Sequence, residues 1–284
     1  MTMTEILITA AQLKASDVHL AVGNPPIVRI DGELKPLEKR ALTSEDTTAY
    51  AKEMLSDEQF QILTEKGQVD LAYRITDKNV FRVNIFRYSD KIGLACRVIS
   101  EKIPTAKELE LPEGIERVSE FLSGLVLVTG PTGCGKSTTI AAIIDAINKK
   151  KNCHILTIED PIEYIHQNRK SIITQREVGR DCNNFADALR AGLRQDPDVI
   201  MVGEMRDLET ITTAITAAET GHLVLATLHT RNAYQTIERI IDVFPGPHQQ
   251  QIRVQLANSL MAVFSQRLLP RSEEHTSELQ SRHN

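Results

Sequence analysis

Hydrophobic and polar positions follow two different patterns along the chain, and the change near residue 115 predicts two structural units. Up to residue 99, apolar positions alternate in short stretches or recur at helical spacing. From residue 115 onward, short continuous apolar runs alternate with helical segments, which is typical of a parallel α/β sheet with buried strands. We therefore predict a small α+β domain at residues 1–100, a linker at 101–114 and an α/β domain at 115–270.

The N-terminal pattern predicts helices and strands with recognisable boundaries. A helix is expected at 4–14, and two more lie within 43–66, where Thr43 or Ser44 can cap the first and Ser56 with Gln59 resembles a capping box for the second. Strands are expected at 17–23, 26–32, 69–75, 80–88 and 92–99. Asp77-Lys78-Asn79 suits a hairpin turn between two of these strands.

In the second domain, each predicted strand is followed by a predicted helix. The strands are 125–130, 154–159, 198–204 and 222–228. The helices lie near 136–149, 184–195, 207–219, 232–242 and 248–268. After Pro270 the segment RSEEHTSELQSRHN is polar and without apolar periodicity, which is typical of a disordered terminus. The interpretation that we favour is that 271–284 is not native sequence, so that the second domain is cut short.

Composition narrows the class of protein. Hydrophobic residues make up 41% and charged residues 25% of the 284 positions, which are values of a globular protein. Neither a secretory signal nor an apolar run long enough for a transmembrane segment is visible, which favours a cytoplasmic protein. A net charge of −5 argues against nucleic acid as a partner, and the four widely spaced cysteines do not have the spacing of a zinc site.

The strongest chemical signal is a phosphate-binding loop. Its residues match G-x-x-x-x-G-K-[ST] between an apolar strand and a helix: Gly130, Pro131, Thr132, Gly133, Cys134, Gly135, Lys136 and Ser137, followed by Thr138. In such loops the backbone N–H groups surround phosphate oxygens, and the helix N-terminus adds partial positive charge. Lys136 is expected to reach the β- and γ-phosphates of ATP, and the Ser137 hydroxyl to bind Mg²⁺.

Two acidic positions are candidates for the chemistry of that nucleotide. Glu204 ends the apolar run that begins at Asp198, where it could hold Mg²⁺ directly or through water; a solvent-exposed carboxylate at a strand end is the alternative. Glu159, Asp160 and Glu163 follow the preceding strand. One of them could polarise a water molecule for attack on the γ-phosphate, and a charged surface loop explains the cluster equally well.

Histidine and arginine residues supply weaker candidates. His222 and His229 bracket a predicted strand, and His229 could sense the γ-phosphate, although polar residues at strand ends are common. Arg82 and Arg97 lie on predicted strands of the first domain. Exposed arginines are usual on strands, but an arginine supplied by another domain or subunit can accelerate phosphoryl transfer by about 10³–10⁵-fold.

Taken together, these motifs resemble the PilT-like retraction ATPases of type IV pili, within the secretion ATPase superfamily. The resemblance covers about residues 4–270 and rests on ASDVHL (15–20), Pro25-Pro26 with Arg29, GPTGCGKSTT (130–139), TIEDPIEY (157–164), LRQDPDVIMVGEMRD (193–207) and TGHLVLATLHT (220–230).

The resemblance implies a fold and a set of roles. It implies a PAS-like α+β domain followed by a RecA-like P-loop ATPase domain, assembled as a homohexamer with ATP as substrate and Mg²⁺ as cofactor. By this resemblance Glu163 is the catalytic base, Glu204 is the Walker B carboxylate, and the His box contributes His229 to catalysis and His222 to nucleotide binding. Arg82 and Arg97 would then act on the nucleotide from the first domain. The expected location is the cytoplasmic face of the inner membrane, with a pilus platform protein as partner.

Two departures bear on this expectation. Relatives continue beyond the position of Pro270 with an A-I-R-N-L-I-R-E motif implicated in retraction. This sequence does not contain the motif, so we expect the chain to bind ATP whether or not it acts as a motor. The four-cysteine module of extension and type II secretion ATPases does not occur either, which favours the retraction branch. An extension, secretion or accessory pilus ATPase, and a nucleotide-gated interaction module with little turnover, remain the alternatives.

Overall fold

The computed structural model describes residues 1–76, 79–99 and 103–269, and the chain divides into two compact units, Met1–Glu101 and Lys102–Asn284. Residues 77 and 78 of the predicted hairpin turn, the first residues of the predicted linker and the segment 271–284 lie outside the described residues. Each unit has its own sheet.

The first unit contains three helices and six strands within the described residues. In chain order they are α1 (Met3–Gln12), β1 (Asp17–Leu20), β2 (Ile27–Ile30), β3 (Glu33–Pro36), α2 (Ser44–Met54), α3 (Asp57–Lys66), β4 (Gln68–Thr76), β5 (Asn79–Tyr88) and β6 (Lys91–Ile99). Capping boxes begin the helices, as predicted for Thr43 and for Ser56 with Gln59. Gly67 ends α3 in the left-handed conformation at φ 81°, where glycine is favoured.

The sheet of the first unit is antiparallel, in the order β3-β2-β1-β6-β5-β4. One hydrophobic cluster joins the helices to the strands and includes Met3, Leu7, Phe81 and Leu94, each at most 1% exposed. All four residues of the short edge strand β3 are exposed, and it was not predicted, because Glu33–Pro36 carries little apolar signal.

The second unit follows the predicted alternation of strands and helices. It contains α4 (Glu113–Arg117), a 3₁₀ turn (Val118–Glu120), β7 (Gly124–Thr129), α5 (Lys136–Lys150), β8 (His154–Glu159), β9 (Ile172–Glu177), α6 (Phe185–Gly192), β10 (Val199–Val202), α7 (Leu208–Glu219), β11 (Leu223–Leu228), α8 (Ala233–Asp242), α9 (Gly246–Ser259) and β12 (Leu260–Ser265).

The sheet of the second unit is parallel, in the order β12-β7-β11-β10-β8-β9. Alternate residues of β7 belong to different hydrophobic clusters: Leu125 and Leu127 pack with residues of α6, α7 and α9, and Val126 and Val128 pack with residues of α5. Helices therefore cover both faces, which explains why the central strands are continuously apolar. The carboxyl ends of all these strands meet at one edge, where ligands bind in open α/β sheets.

Two predictions for the second unit were incomplete or wrong. The predicted helix at 248–268 ends at Ser259, and β12 follows at once as an edge strand beside β7. The apolar run Leu260–Ser265 is compatible with a helix or with a strand, and its pairing with β7 makes it a strand. The edge strand β9 was not predicted, because Ile172–Glu177 carries polar side chains at four of its six positions. None of the helices among the described residues is long and apolar enough to span a membrane.

Candidate active site

The phosphate-binding loop lies between β7 and α5 in the predicted place. Three of its glycines have positive φ: Gly130 at 147°, Gly133 at 77° and Gly135 at 92°. A Cβ on Gly130 would lie 2.5 Å from the carbonyl oxygen of Gln266 and 2.6 Å from Sγ of Cys134, so only glycine fits there. Gly135 provides no side-chain cap for α5, which leaves the first N–H groups of the helix available to an anion.

Lys136 lies inside this loop rather than in solvent. Only 9% of the residue is exposed, and its Nζ donates hydrogen bonds to the carbonyl oxygens of Gly130 at 2.9 Å and Pro131 at 3.1 Å. These carbonyls hold the ammonium group beside the loop amides that face a phosphate. Lys136 can therefore exchange carbonyl partners for phosphate oxygens by a small movement of its side chain.

A cavity beside the loop brings the predicted acidic residues together. Ser137 at the start of α5 lines it, together with Glu159 and Glu163 from the end of β8 and Glu204 from the end of β10. These residues come from three segments of the chain that parallel pairing aligns at one sheet edge. The structure thus collects the Ser137 hydroxyl and several carboxylates beside the start of α5.

Glu204 has two basic partners at this edge. Its Oε1 accepts a hydrogen bond from Nε of Arg206 and lies 3.1 Å from Nε2 of His229, which follows β11. Burial favours the neutral carboxyl, but the hydrogen bond from Arg206 and the positive charges of His229 and Arg206 outweigh it, so the pKa of Glu204 is lowered. Glu204 is therefore an ionised, oriented carboxylate.

Glu159 and Glu163 have different environments. Glu159 is 8% exposed, and its Oε1 accepts hydrogen bonds from Oγ1 of Thr157 at 2.7 Å and Nε2 of Gln175 at 3.1 Å. Burial raises the pKa of Glu159, and the hydrogen bonds from Thr157, Gln175 and the backbone of Glu163 only partly oppose this. The side chain of Glu163 is exposed and lines the same cavity, so water can reach it.

The two histidines of the predicted pair lie at opposite edges of the sheet. His229 follows the carboxyl end of β11, and His222 precedes its amino end. Nδ1 of His222 lies 2.9 Å from the carbonyl oxygen of Ala217 at the end of α7. Within one chain the structure therefore brings His229, but not His222, to the phosphate loop.

Arg82 and Arg97 are neighbours on the sheet of the first unit. They are direct partners across β5 and β6, and Asp17 on β1 is the partner of Arg97 on its other side. Nε of Arg97 donates a hydrogen bond to Oδ1 of Asp17 at 2.9 Å, while Arg29 on β2 lies 3.9 Å from the other carboxylate oxygen. Like charges directly opposite each other destabilise a sheet, and the ion pair between Arg97 and Asp17 offsets this repulsion.

The oxygen ligands at the loop suit a magnesium ion. The Ser137 hydroxyl and the ionised Glu204 carboxylate line one cavity, and Mg²⁺ prefers such oxygen ligands together with substrate phosphates and water. The described residues contain no group of three or more His, Cys, Asp or Glu side chains arranged around a single metal position. Ser137 and Glu204 could therefore supply two oxygen ligands to an ion that also binds phosphate and water.

Comparison with known proteins agrees with this geometry. The profile of the type II/IV secretion system proteins matches residues 1–283. The type IV pilus retraction ATPase PilT of Pseudomonas aeruginosa is 47% identical over 269 residues, which cover 95% of this chain and 78% of PilT. The chain belongs to the type II/IV secretion system protein family.

Solved structures of relatives support the same assignment. The crystal structure of the pilus retraction motor PilT with bound ADP matches with a TM-score of 0.90 at 47% identity, covering 100% of this chain and 88% of that one. The ATPase DotB of Legionella pneumophila matches with a TM-score of 0.82 at 29% identity, covering 99% and 84%. This member of the family is an ATPase, and its RecA-like parallel sheet preceded by an antiparallel N-terminal sheet confirms the predicted fold class.

Several residues at the site were missed by sequence reasoning. Arg206 contacts Glu204, Gln175 contacts Glu159, and the hydroxyls of Tyr164 and Thr138 lie 2.9 Å apart. Arg206 and Tyr164 lie inside quoted motifs but had no role assigned. Gln175 lies on β9, which carries little apolar signal and was not predicted from the sequence.

Proposed function

We propose that this member of the family is a Mg²⁺-dependent ATPase that retracts type IV pili as a homohexameric ring. The observation that carries the hydrolytic part is the cavity beside Ser137, which Glu163 and Glu204 also line. The relation to PilT, at 47% identity over 95% of the chain, supports retraction as the work that hydrolysis drives. We place the motor at the cytoplasmic face of the inner membrane, with a pilus platform protein as its partner.

ATP binding uses the loop and the start of α5. The N–H groups of residues 132–138 surround the phosphates, and Lys136 leaves the carbonyls of Gly130 and Pro131 for the β- and γ-phosphates. Ser137 and Glu204, the latter directly or through water, hold Mg²⁺, which neutralises charge that develops on the phosphates. Arg206 and His229 keep the Glu204 carboxylate ionised and oriented.

Glu163 is the group that activates water. Its side chain is exposed in the cavity, whereas Oε1 of Glu159 already accepts two hydrogen bonds and the residue is 8% exposed. A general base needs access to the attacking water, which favours Glu163 over Glu159. In this proposal Glu163 takes the proton of the water as its oxygen attacks the γ-phosphate.

Roles are also proposed for the two arginines of the first domain and for the two histidines beside β11. Arg82 and Arg97 are proposed to reach the γ-phosphate from the first domain and stabilise its charge in the transition state. His229, beside Glu204, is proposed to respond to the γ-phosphate. His222 lies at the opposite edge of the sheet, so a role at a nucleotide requires the neighbouring subunit of the ring.

An accessory pilus ATPase is the second candidate. The type IV pilus ATPase PilU of Pseudomonas aeruginosa is 41% identical over 270 residues, which cover 95% of this chain and 71% of PilU. Expression of this chain in strains lacking either relative, scored by twitching, separates the two functions. Rescue of the strain that lacks PilT supports the retraction motor, and rescue of only the strain that lacks PilU supports the accessory role.

Substitution of Glu163 tests the hydrolytic proposal. Glu163→Gln is expected to keep ATP affinity and to lower turnover by about 10²–10⁴-fold, since the amide cannot take the proton from water. Glu120→Gln, which removes the same charge from an exposed position, is the matched control and should behave like the unaltered chain. Steady-state phosphate release and fluorescent-nucleotide binding measure the two properties. Normal turnover in the Glu163 variant would remove it as the base.

The ring is tested separately by light scattering after size exclusion, with and without ATP. A mass of six chains in the presence of nucleotide supports the proposed assembly. A mass of one chain at every nucleotide concentration contradicts it, whatever the result for Glu163.

A further inference from the structure

The loop that carries Glu163 is held by a side chain from the edge strand β9. Gln175 reaches the loop from the position beside Thr157 on β8. Its Nε2 donates a hydrogen bond to the carbonyl oxygen of Tyr164 at 2.9 Å, and its Oε1 accepts one from the backbone N–H of His166 at 2.9 Å. Both contacts are to the backbone, within three residues of Glu163.

The side-chain amide of Gln175 also contacts Glu159, which precedes Glu163 in the chain. Nε2 of Gln175 donates its second hydrogen bond to Oε1 of the buried Glu159 at 3.1 Å. The Glu159 carboxylate in turn accepts a hydrogen bond from the backbone N–H of Glu163. Gln175 is thus linked to the backbone at 163, 164 and 166.

The chemistry of these contacts requires an amide at position 175. Glutamine offers two N–H donors and one carbonyl acceptor, and all three are used here: two donors by Glu159 and Tyr164, and the acceptor by His166. A carboxylate of the same shape has no donor and would repel Glu159. A thioether of similar length keeps the volume but makes none of these contacts.

Two other contacts also hold the immediate neighbours of Glu163. Oε2 of Glu177 accepts a hydrogen bond from the backbone N–H of Ile162 at 3.1 Å. The hydroxyls of Tyr164 and Thr138 lie 2.9 Å apart, which joins the loop to the first turn of α5. Gln175 contacts the backbone directly at residues 164 and 166, and through Glu159 it is linked to the backbone N–H of the general base itself.

We propose that Gln175 is a positioning residue for ATP hydrolysis, which fixes the loop so that the Glu163 carboxylate faces the attacking water. The proposal rests on the proposed role of Glu163 as the base. A displacement of about 1 Å at a reacting group can cost about a hundredfold in rate, so the loss of these contacts is expected to reduce the chemical step. ATP binding should be retained, because none of these contacts reaches the phosphate loop itself.

The test compares two substitutions at position 175 with a control on the same strand. Gln175→Glu and Gln175→Met are each expected to lower kcat by about tenfold to a hundredfold, with the KM and Kd for ATP within about twofold of the unaltered chain. Thr174→Val removes a hydrogen bond between β9 and His154 without touching the loop, and it is expected to leave kcat within about twofold. Retained ATP binding shows that each variant is folded.

A double substitution shows whether Gln175 acts through Glu163. In chains that carry Glu163→Gln, adding Gln175→Met should reduce the residual single-turnover rate by less than about twofold, because the residue that it positions is already inactive. An equal loss in both backgrounds contradicts the proposal, and so does a kcat that is unchanged by either substitution at 175. If Glu163→Gln itself keeps normal turnover, the proposed base is wrong, and this result is distinct from a failure of Gln175 alone.

Discussion

At the scale of single residues, the phosphate loop is limited by the space around its backbone. Gly130 has a φ of 147°, and a Cβ there would overlap the carbonyl oxygen of Gln266 and Sγ of Cys134. Gln266 is also bound to β7 through its backbone N–H and the carbonyl oxygen of Thr129 at 2.7 Å. The loop therefore cannot move away from a new methyl group without breaking its contact with the end of β12.

We predict that Gly130→Ala abolishes ATP binding and destabilises the second unit. The strain of the backbone conformation alone is about 1–3 kcal/mol, and overlap with the Gln266 carbonyl adds to it. Gly246→Ala is the control, since a Cβ at Gly246 meets nothing within 4 Å. Binding of a fluorescent nucleotide and urea unfolding measure both effects. Wild-type affinity in the Gly130 variant would contradict the predicted fit.

A second prediction at this scale concerns the partly buried His166 in the Glu163 loop. Burial lowers its pKa from 6.5 to about 4, and the charge of Asp145 opposes this only in part. Between these two values the unfolded chain binds more protons than the folded chain, so stability falls as pH decreases from about 6.5 to about 4. The loss from this residue is at most about 3 kcal/mol.

His166→Asn removes this titration. We expect the stability difference between the unaltered chain and this variant to change with pH only between about 6.5 and 4, in the direction that favours the variant at low pH. Urea unfolding of both chains at a series of pH values measures it. A difference that is constant with pH would show that His166 is not the source of the acid sensitivity.

The contrast between predicted and missed site residues also belongs to this scale. The location of Lys136, Ser137 and Glu204 at the carboxyl edge of the second sheet could be predicted, because each lies at a fixed distance from a strand end in its own segment. Arg206 and Gln175 could not be assigned roles, because their contacts depend on the direction of a side chain and on the register of β9 against β8. Spacing along the chain therefore determines where the first three residues lie, whereas the contacts of Arg206 and Gln175 are determined by the tertiary structure.

At the scale of helices and strands, local signals predicted the elements best where their ends carry hydrogen-bonding side chains. The caps Thr43 and Ser56 begin α2 and α3 as expected, and the apolar runs of the central strands were found. The strands missed are the edge strands β3 and β9, together with β12, which was assigned to a helix. An edge strand has one partner and carries a weaker apolar signal, so its identity depends on the neighbouring strand.

The start of α7 provides a prediction at this scale. Asp207 caps the helix immediately after the Glu204 segment: Oδ1 accepts the backbone N–H of Thr210 at 2.8 Å, and Oδ2 accepts the Thr210 hydroxyl at 2.7 Å. Thr210 is fully buried, so removal of the cap leaves polar atoms without partners. Asp207→Ala is expected to lower the free energy of unfolding by about 1–2 kcal/mol.

Asp207→Asn is the matched variant, because its side-chain oxygen can still accept the Thr210 N–H. It should lose less than half as much stability as Asp207→Ala in urea unfolding. Equal losses in the two variants would assign the effect to the charge near the helix N-terminus rather than to the cap.

At the scale of the whole molecule, the two units have separate hydrophobic cores. The cluster of the first unit draws on residues 3–98, whereas the clusters of the second unit draw on residues 111–264. The change of sequence pattern near residue 115 was therefore informative, since antiparallel and parallel sheets distribute apolar residues differently. The placement of Arg82 opposite Arg97 was not accessible to the sequence, because it depends on the register of β5 against β6.

A cavity in the first core tests this separation. Phe81 is 0% exposed, and Phe81→Ala is expected to cost the first unit about 3–5 kcal/mol of stability. Because Phe81 belongs to the first cluster alone, we expect faster hydrogen exchange in peptides from residues 1–99 and unchanged exchange in β7, β10 and β11. ATP affinity should also be unchanged. Leu34→Ala, at a residue that is 54% exposed on β3, is the control and should change neither region. Faster exchange in the central strands of the second unit would mean that the two cores unfold as one.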